Sequence, residues 1–252
     1  CPSLRYIGVQ ATGYNVIDLE ACRRHNVTVT NVPTYSTAGV SQLTFAFILE
    51  FACKTAEHSA SVMAGDWIKS KDFCYWKHAP VELDGKTLGI FGYGSIGSRV
   101  ESIAKAFGMR TIVCTRTPNP LIENPVDAEQ LFKQSDFLTL HAPLTEATRG
   151  IVNEKNISLM KETAVIINTA RGALVDENAV RKALDTGRIA GYAADVVSEE
   201  PMKADNPLLG APNCLLTPHI AWAATETRQR LLDIVIANIR CFIAGCPQNV
   251  VS

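Results

Sequence analysis

Along this chain, short apolar runs alternate with stretches in which apolar residues recur every three or four positions, and glycines mark many of the junctions. Arg5 to Ala11 reads as a buried strand, Ile17 to His25 as a short helix capped by Asn26, and "VTVTNVP" as a strand stopped by Pro33. From Ser41 to Ala64, "SQLTFAFILEFACKTAEHSASVMA" reads as one helix ending at Gly65. Its first half, Leu43 to Cys53, is apolar nearly all round. That pattern predicts burial, either between domains or subunits or inside an ordinary core.

After an irregular polar-aromatic stretch, "KSKDFCYWKHAP", a strand-helix rhythm begins. "TLGIFG" is a strand, and Ser98 to Phe107 a helix with Val100, Ile103, Ala104 and Phe107 on one face. "RTIVCT" (strand), "DAEQLFKQS" (helix), "DFLTLHAP" (strand), "EKNISLMK" (helix) and "TAVIINTA" (strand) continue it. "ENAVRKALDTG" is a helix, followed by strands in "RIAGYAADV" and "NCLLTPHI". A last helix, Glu226 to Ala244, sets Leu231, Ile234, Val235, Ile239 and Phe242 on one side and closes at Gly245. Strands alternating with helices predict an α/β fold with a doubly wound parallel sheet of Rossmann type.

Composition narrows the function. With 252 residues, 47% hydrophobic and 19% charged, the chain has the make-up of an ordinary globular protein. A formal net charge of −1 and the lack of a long basic run argue against a nucleic-acid groove or an anionic membrane surface. No apolar run is long enough to span a bilayer. The eight cysteines (Cys1, Cys22, Cys53, Cys74, Cys114, Cys214, Cys241, Cys246) are scattered without a C-x-x-C pair. They are expected to be reduced thiols in a cytoplasmic protein, with no disulfide framework and no metal site. The opening "CPSLRYIGVQ" lacks a methionine and reads as the middle of a domain.

The sharpest local motif is "LGIFGYGSIG", a strand running into Gly92-x-Gly94-x-x-Gly97. It is followed by an amphipathic helix and a second strand, at the spacing of a βαβ unit of about 30 residues. In such a turn Gly92 permits the bend, Gly94 lets the backbone approach a pyrophosphate, and Gly97 lets helix pack on strand; the helix amino end faces the anion. The second strand ends in "VCTRTP", with Thr115 where an NAD site usually carries an acid, then Arg116. Threonine does not repel a 2′-phosphate and guanidinium attracts it, so NADP or tolerance of both NAD and NADP is expected; a plain surface arginine is the alternative.

Arg171, Glu200 and His219 stand just past apolar strands, where open α/β sheets place their sites. A 2-keto acid needs a fixed cation for its carboxylate and carbonyl, which Arg171 supplies. Its carbonyl oxygen needs a proton as hydride arrives, which the imidazolium of His219 gives near neutral pH. A carboxylate beside that ring, Glu200, orients it and favours its protonated form. Trp222, just past His219, is read as packing.

The segments "GYGSIG", "LHAPLTEATRG", "LMKETAVIINTARGALVDE", "AGYAADVVSEEP" and "NCLLTPHIAWAATETRQRL" resemble the D-isomer-specific 2-hydroxyacid dehydrogenases nearly end to end. The resemblance implies the same roles for Arg171, Glu200 and His219. It also places Ser95 and Ile96, His141, Pro143 and Thr148, Thr169 and Ala170, and Asp195 at cofactor contacts. "VPTYST", "KDFCYW", "PHIAWA", "RQRLLD" and "PQNVV" are most similar to the glycerate dehydrogenase (hydroxypyruvate reductase) branch. That implies hydroxypyruvate/D-glycerate or glyoxylate/glycolate as the substrate couple, and a homodimer.

By the same resemblance, residues 1–36 and 228–252 form an incomplete flavodoxin-like substrate-binding lobe and residues 37–227 the dinucleotide-binding domain. The βα segment that begins the family's lobe has no counterpart here, so turnover by the chain as written is in question. Some relatives of this fold are nucleotide-sensing corepressors that dimerise and keep similar site residues. A non-catalytic binding protein is therefore the rival reading.

Overall fold

The computed structural model describes residues 3–252; Cys1 lies outside the described residues. The chain divides into two compact units, residues 1–40 with 220–252, and residues 41–219. Segments 37–40 and 220–227, expected in the dinucleotide domain, thus fall in the first unit. Their packing explains why: a Cβ on Gly39 would lie 2.6 Å from the Ala221 carbonyl oxygen and 3.3 Å from Thr227 Oγ1.

The first unit starts with β1 (Tyr6–Gly8), α1 (Leu19–Arg24) and β2 (Thr28–Thr30), the two strands pairing in parallel. Asp18 caps α1 by accepting from the Ala21 N–H at 2.9 Å, and Asn26, just past the helix, takes a positive φ of 53°. The C-terminal segment returns to β2, where Val251 N–H donates to Val29 O at 2.9 Å. Val27, Val29 and Cys22 form a small core with Ile7, Val9 and Val251 packed against it.

Where one helix was expected over 41–64, the structure has two, α2 (Thr37–Cys53) and α3 (Thr55–Met63). Lys54 between them adopts φ 49°, a left-handed conformation. Its N–H closes α2 on Glu50 O at 2.8 Å, while its carbonyl opens α3 by accepting from the His58 N–H at 3.0 Å. Phe45, Phe47, Ile48, Phe51 and Ala52 of α2 pack inside the second unit against Leu88, Ile90, Val113, Phe137, Val165, Ile167 and Ala193. The all-round apolar character of Leu43 to Cys53 is thus satisfied by that unit's own core, and it no longer argues for an interface with another subunit.

The remainder of the second unit runs β3 (Thr87–Phe91), α4 (Ser95–Ala106), β4 (Arg110–Cys114), α5 (Ala128–Gln134), β5 (Phe137–Leu140) and α6 (Glu154–Ile157). Then come β6 (Val165–Asn168), α7 (Glu177–Asp185), β7 (Gly191–Ala194) and β8 (Cys214–Leu216); the last helix, α8 (Thr225–Ile243), belongs to the first unit. The six strands β3 to β8 are all parallel, in the order β4-β3-β5-β6-β7-β8. All four residues of β5, β6 and β7 are buried, as a sheet covered on both faces requires. From β3 the chain moves out to β4 and returns on the other side as β5, so the strand order reverses between β3 and β5. In open α/β sheets a ligand crevice opens at such a reversal, past the carboxyl ends of the strands.

Candidate active site

The glycine turn sits at that reversal. Gly92 has φ +95°, and a Cβ there would lie 2.5 Å from Ala142 N and 2.8 Å from His141 C; a Cβ on Gly97 would lie 2.3 Å from Gly92 O. Both are sterically obligatory. Gly94 differs: no atom lies within 4 Å of the position its Cβ would take. It is the N-cap of α4, with no side chain closing the helix end. The helix therefore starts at Ser95, three residues before the expected Ser98, because the cap lies inside the motif. The space beside Gly94 at the start of α4 is clear, the kind of room a pyrophosphate needs at a helix amino end.

Two buried groups brace this turn. Glu101 of α4, 5% exposed, accepts from the Tyr93 hydroxyl within the motif and from Thr111 Oγ1 of β4 at 2.9 Å, with Lys105 Nζ 3.4 Å away. Burial and the neighbouring carboxylate push the Tyr93 phenol up to about 12. Gly92 N–H donates to Cys114 O at 2.8 Å, linking the turn to the end of β4, where half-buried Thr115 and exposed Arg116 follow. His141, at the carboxyl end of β5, donates its N–H to Phe91 O at 2.8 Å. Both its ring nitrogens are buried without a hydrogen-bond partner, and desolvation pulls the imidazole down to about 3, so the ring is neutral. An orphaned neutral imidazole on the residue packed against Gly92 of the turn fits a polar ligand bound at the reversal point. Nearby, the Thr148 hydroxyl donates to Pro143 O at 2.8 Å, closing the 143–148 loop on itself.

The other site residues follow β6, β7 and β8. Buried Asn168 ends β6; its amide donates to Arg171 O at 2.9 Å and its oxygen accepts from the Ala170 N–H at 3.0 Å, shaping the loop that presents Arg171. The guanidinium donates to Ala170 O at 2.7 Å and, among the described residues, forms no salt bridge, which leaves it donors for an external anion. Thr169 Oγ1 lies 3.1 Å from Thr44 Oγ1. Past β7, buried Asp195 accepts from Thr217 Oγ1, tying the exits of β7 and β8 together.

His219 follows β8 with φ 54°, a left-handed backbone that is uncommon outside glycine. Its Nδ1 lies 2.6 Å from Glu200 Oε2, with side-chain exposures of 44% and 37%. A carboxylate accepts, so Nδ1 carries the hydrogen in this contact and Nε2 is the ring nitrogen not engaged by Glu200. Val197 N–H holds the other carboxylate oxygen of Glu200 at 3.2 Å. The Arg171 loop packs on this one: a Cβ on Gly172 would lie 1.9 Å from Val197 C. The 171 and 200 loops are therefore in backbone contact, and the 200 loop holds His219. Trp222 belongs to the first unit, packed against the Val32, Tyr35 and Leu231 cluster.

Sequence reasoning missed the residues behind these: Glu101, Asn168 and Glu177. Glu101 carries a signal, an acid placed beside Val100 and Ala104 on the helix's apolar face. Glu177 carries none, since an acid in a helix's first turn is ordinary.

Comparison with known proteins fits this geometry. Residues 45–221 match the family described as "D-isomer specific 2-hydroxyacid dehydrogenase, NAD binding domain". The hydroxypyruvate reductase of Blautia hydrogenotrophica is 45% identical over 256 residues, covering 100% of this chain and 80% of that protein. The glycerate dehydrogenase of Methylorubrum extorquens is 40% identical over 252 residues, covering 99% and 79%. The solved structure of the acyclic imino acid reductase Bsp5, in complex with NADPH and D-Arg, is 34% identical with a TM-score of 0.89, covering 99% of this chain and 79% of that one. An all-parallel sheet with an open glycine turn at its reversal, and a family match running from α2 to just past His219, lead to one conclusion: the chain belongs to the D-isomer-specific 2-hydroxyacid dehydrogenase family, a family of nicotinamide-dependent oxidoreductases.

Proposed function

We propose that this protein uses NAD(P)H to reduce a short 2-keto acid, hydroxypyruvate or glyoxylate, reversibly to D-glycerate or glycolate. The observation that carries the proposal is the 2.6 Å contact between His219 Nδ1 and Glu200, on a loop in backbone contact with that of Arg171. Arg171 takes the substrate carboxylate and carbonyl oxygen in its planar fork. His219 gives the proton on Nε2 to the carbonyl oxygen, and Glu200 stabilises the imidazolium and fixes its orientation through Nδ1. The cofactor, when bound, supplies the hydride. Gly92, Gly94, Ser95, Ile96 and Gly97 hold its pyrophosphate, with Thr115 and Arg116 at the adenosine ribose. His141, Pro143, Thr148, Thr169, Ala170 and Asp195 line the remainder of its site. Thr115 in place of an acid, beside an Arg116 that forms no salt bridge among the described residues, favours NADP over NAD; the similar imino acid reductase was solved with NADPH.

We infer that the first unit is part of the substrate-binding lobe. Met63, Trp67, Ile68, Phe73 and Trp76 are exposed, Ile68 and Phe73 at 90%, and such an apolar stretch supports a homodimer. Seven described cysteines without a disulfide suit a reducing, cytoplasmic setting. The enzyme reading is preferred to the corepressor-like one because the similar proteins carry reductase and dehydrogenase names. Mixing the protein with NADPH and hydroxypyruvate should give a steady loss of NADPH absorbance. Tight nucleotide binding with no oxidation of NADPH by hydroxypyruvate or glyoxylate would overturn the proposal.

A further inference from the structure

Glu177 opens α7, and a first-turn acid ordinarily stands in solvent against the helix dipole. This one is 7% exposed. Its Oε1 accepts from the Ser198 N–H at 2.6 Å, and its Oε2 accepts from Ser198 Oγ at 2.7 Å and Asn206 Nδ2 at 2.9 Å. Those partners lie 21 and 29 residues further along the chain. Among the described residues Glu177 has no cationic partner, so the loop itself supplies the donors its buried charge requires.

The segment between the two anchor points, 198–206, carries Glu200. Within it Lys203 pairs with Glu199 at 2.7 Å, a surface contact of little holding power. At its base, Val197 grips Glu200 through its N–H and rests against Gly172. The other titratable groups near Glu177 are Asp176, which caps α7, Asp205 on the loop, and the buried Tyr192 phenol of β7. None of these is hydrogen-bonded to Glu200 or His219. Without the clamp, Glu200 would ride on an exposed surface loop, and catalytic contacts lose their value when displaced by about 1 Å.

We propose that Glu177 is a positioning residue that fixes Glu200 against Nδ1 of His219 by clamping both ends of the 198–206 loop. The inference rests on Glu200 and His219 being the proton-delivering pair; Glu177 acts through them and touches neither substrate nor cofactor. Its carboxylate accepts three hydrogen bonds and donates none, so Glu177→Gln keeps the volume and places an N–H₂ group against donors.

The test measures kcat and KM for hydroxypyruvate with NADPH, alongside NADPH affinity by fluorescence titration and the fold by circular dichroism. In Glu177→Gln kcat should fall about tenfold while KM and NADPH affinity stay within about twofold, because the variant displaces Glu200 without touching Arg171 or the glycine turn. Ser198→Ala, which keeps the backbone N–H contact, should lower kcat the same way by less, and it decides the matter if Glu177→Gln does not fold. An unchanged kcat in the folded variants, or KM and NADPH affinity worsening in step with kcat, would overturn the clamp. If the wild-type protein reduces no 2-keto acid, the functional reading falls, while a crystal structure of Glu177→Gln still reports whether Glu200 stays within hydrogen-bond distance of His219.

Discussion

The proposed cofactor side of the sheet and its proposed catalytic side are built from different materials. Around β3 and β5 the geometry is made largely by backbone: Gly92 and Gly97 have no room for a side chain, and nothing crowds the place a side chain on Gly94 would take. Around the exits of β6, β7 and β8 it is made by side chains that meet from far apart in sequence, with Glu200 on His219 and Glu177 on Ser198 and Asn206. A backbone site can be written into six consecutive residues. A side-chain site depends on loops that only the finished fold brings together. Each side also has its own histidine. The ring nitrogens of His141 are buried and unpartnered and the ring is neutral, while His219 is partly exposed and held by a carboxylate.

The largest effect should come from the catalytic side. His219→Ala removes the proposed proton donor, and kcat for 2-keto acid reduction should fall about a thousandfold, the middle of the range for a positioned acid-base group. NADPH affinity, measured by fluorescence titration, should stay close to wild type. Equal loss of both would mean that the two sides are not separable and that His219 is structural.

That contrast also explains what could be read before folding. The glycine turn and the parallel strands were legible because short apolar runs mark the strands and their ends, and the same runs picked out Arg171, Glu200 and His219 as candidates by position alone. The break at Lys54 was not, because the left-handed residue there is a lysine and no glycine or proline announces it. The pattern of Leu43 to Cys53 revealed burial without revealing what covers the helix. The Glu177 clamp was hidden for a different reason. Its partners are one serine and one asparagine in a polar loop, and nothing in spacing links them to the first turn of a helix.

Paired glycine variants test the two sides at the next level of effect. Gly92→Ala forces a side chain onto φ +95° and into Ala142, a strain of about 1–3 kcal/mol at the cofactor turn. NADPH binding should weaken roughly ten- to hundredfold, the equivalent of that energy. Gly172→Ala pushes instead on Val197, 1.9 Å from the new carbon. It should lower kcat by a similar factor with NADPH binding preserved. If both variants lost the same function, the division of labour would be wrong. Thr115→Asp should act more gently, moving preference toward NAD by about tenfold through repulsion of the 2′-phosphate. An unchanged NADP/NAD ratio would show that the ribose pocket lies elsewhere.

The smallest effect separates the two histidines by pH. His141 titrates at about 3 in the folded protein, below the ordinary 6.5 it regains on unfolding. Between those values the unfolded chain binds a proton that the native one refuses, so stability falls as pH drops through 6.5 and is fully present above it. From pH 7 to pH 6 the loss attributable to this one group is about 0.7 kcal/mol, growing by up to about 1.4 kcal/mol for each further unit until the folded value is reached. Urea denaturation of wild type and His141→Gln at both pH values isolates the contribution, since the two proteins differ at this position alone. The wild type should lose more stability on acidification than the variant. Parallel curves would mean that His141 finds a proton-stabilising partner in the folded state and is not the unpartnered histidine of the comparison.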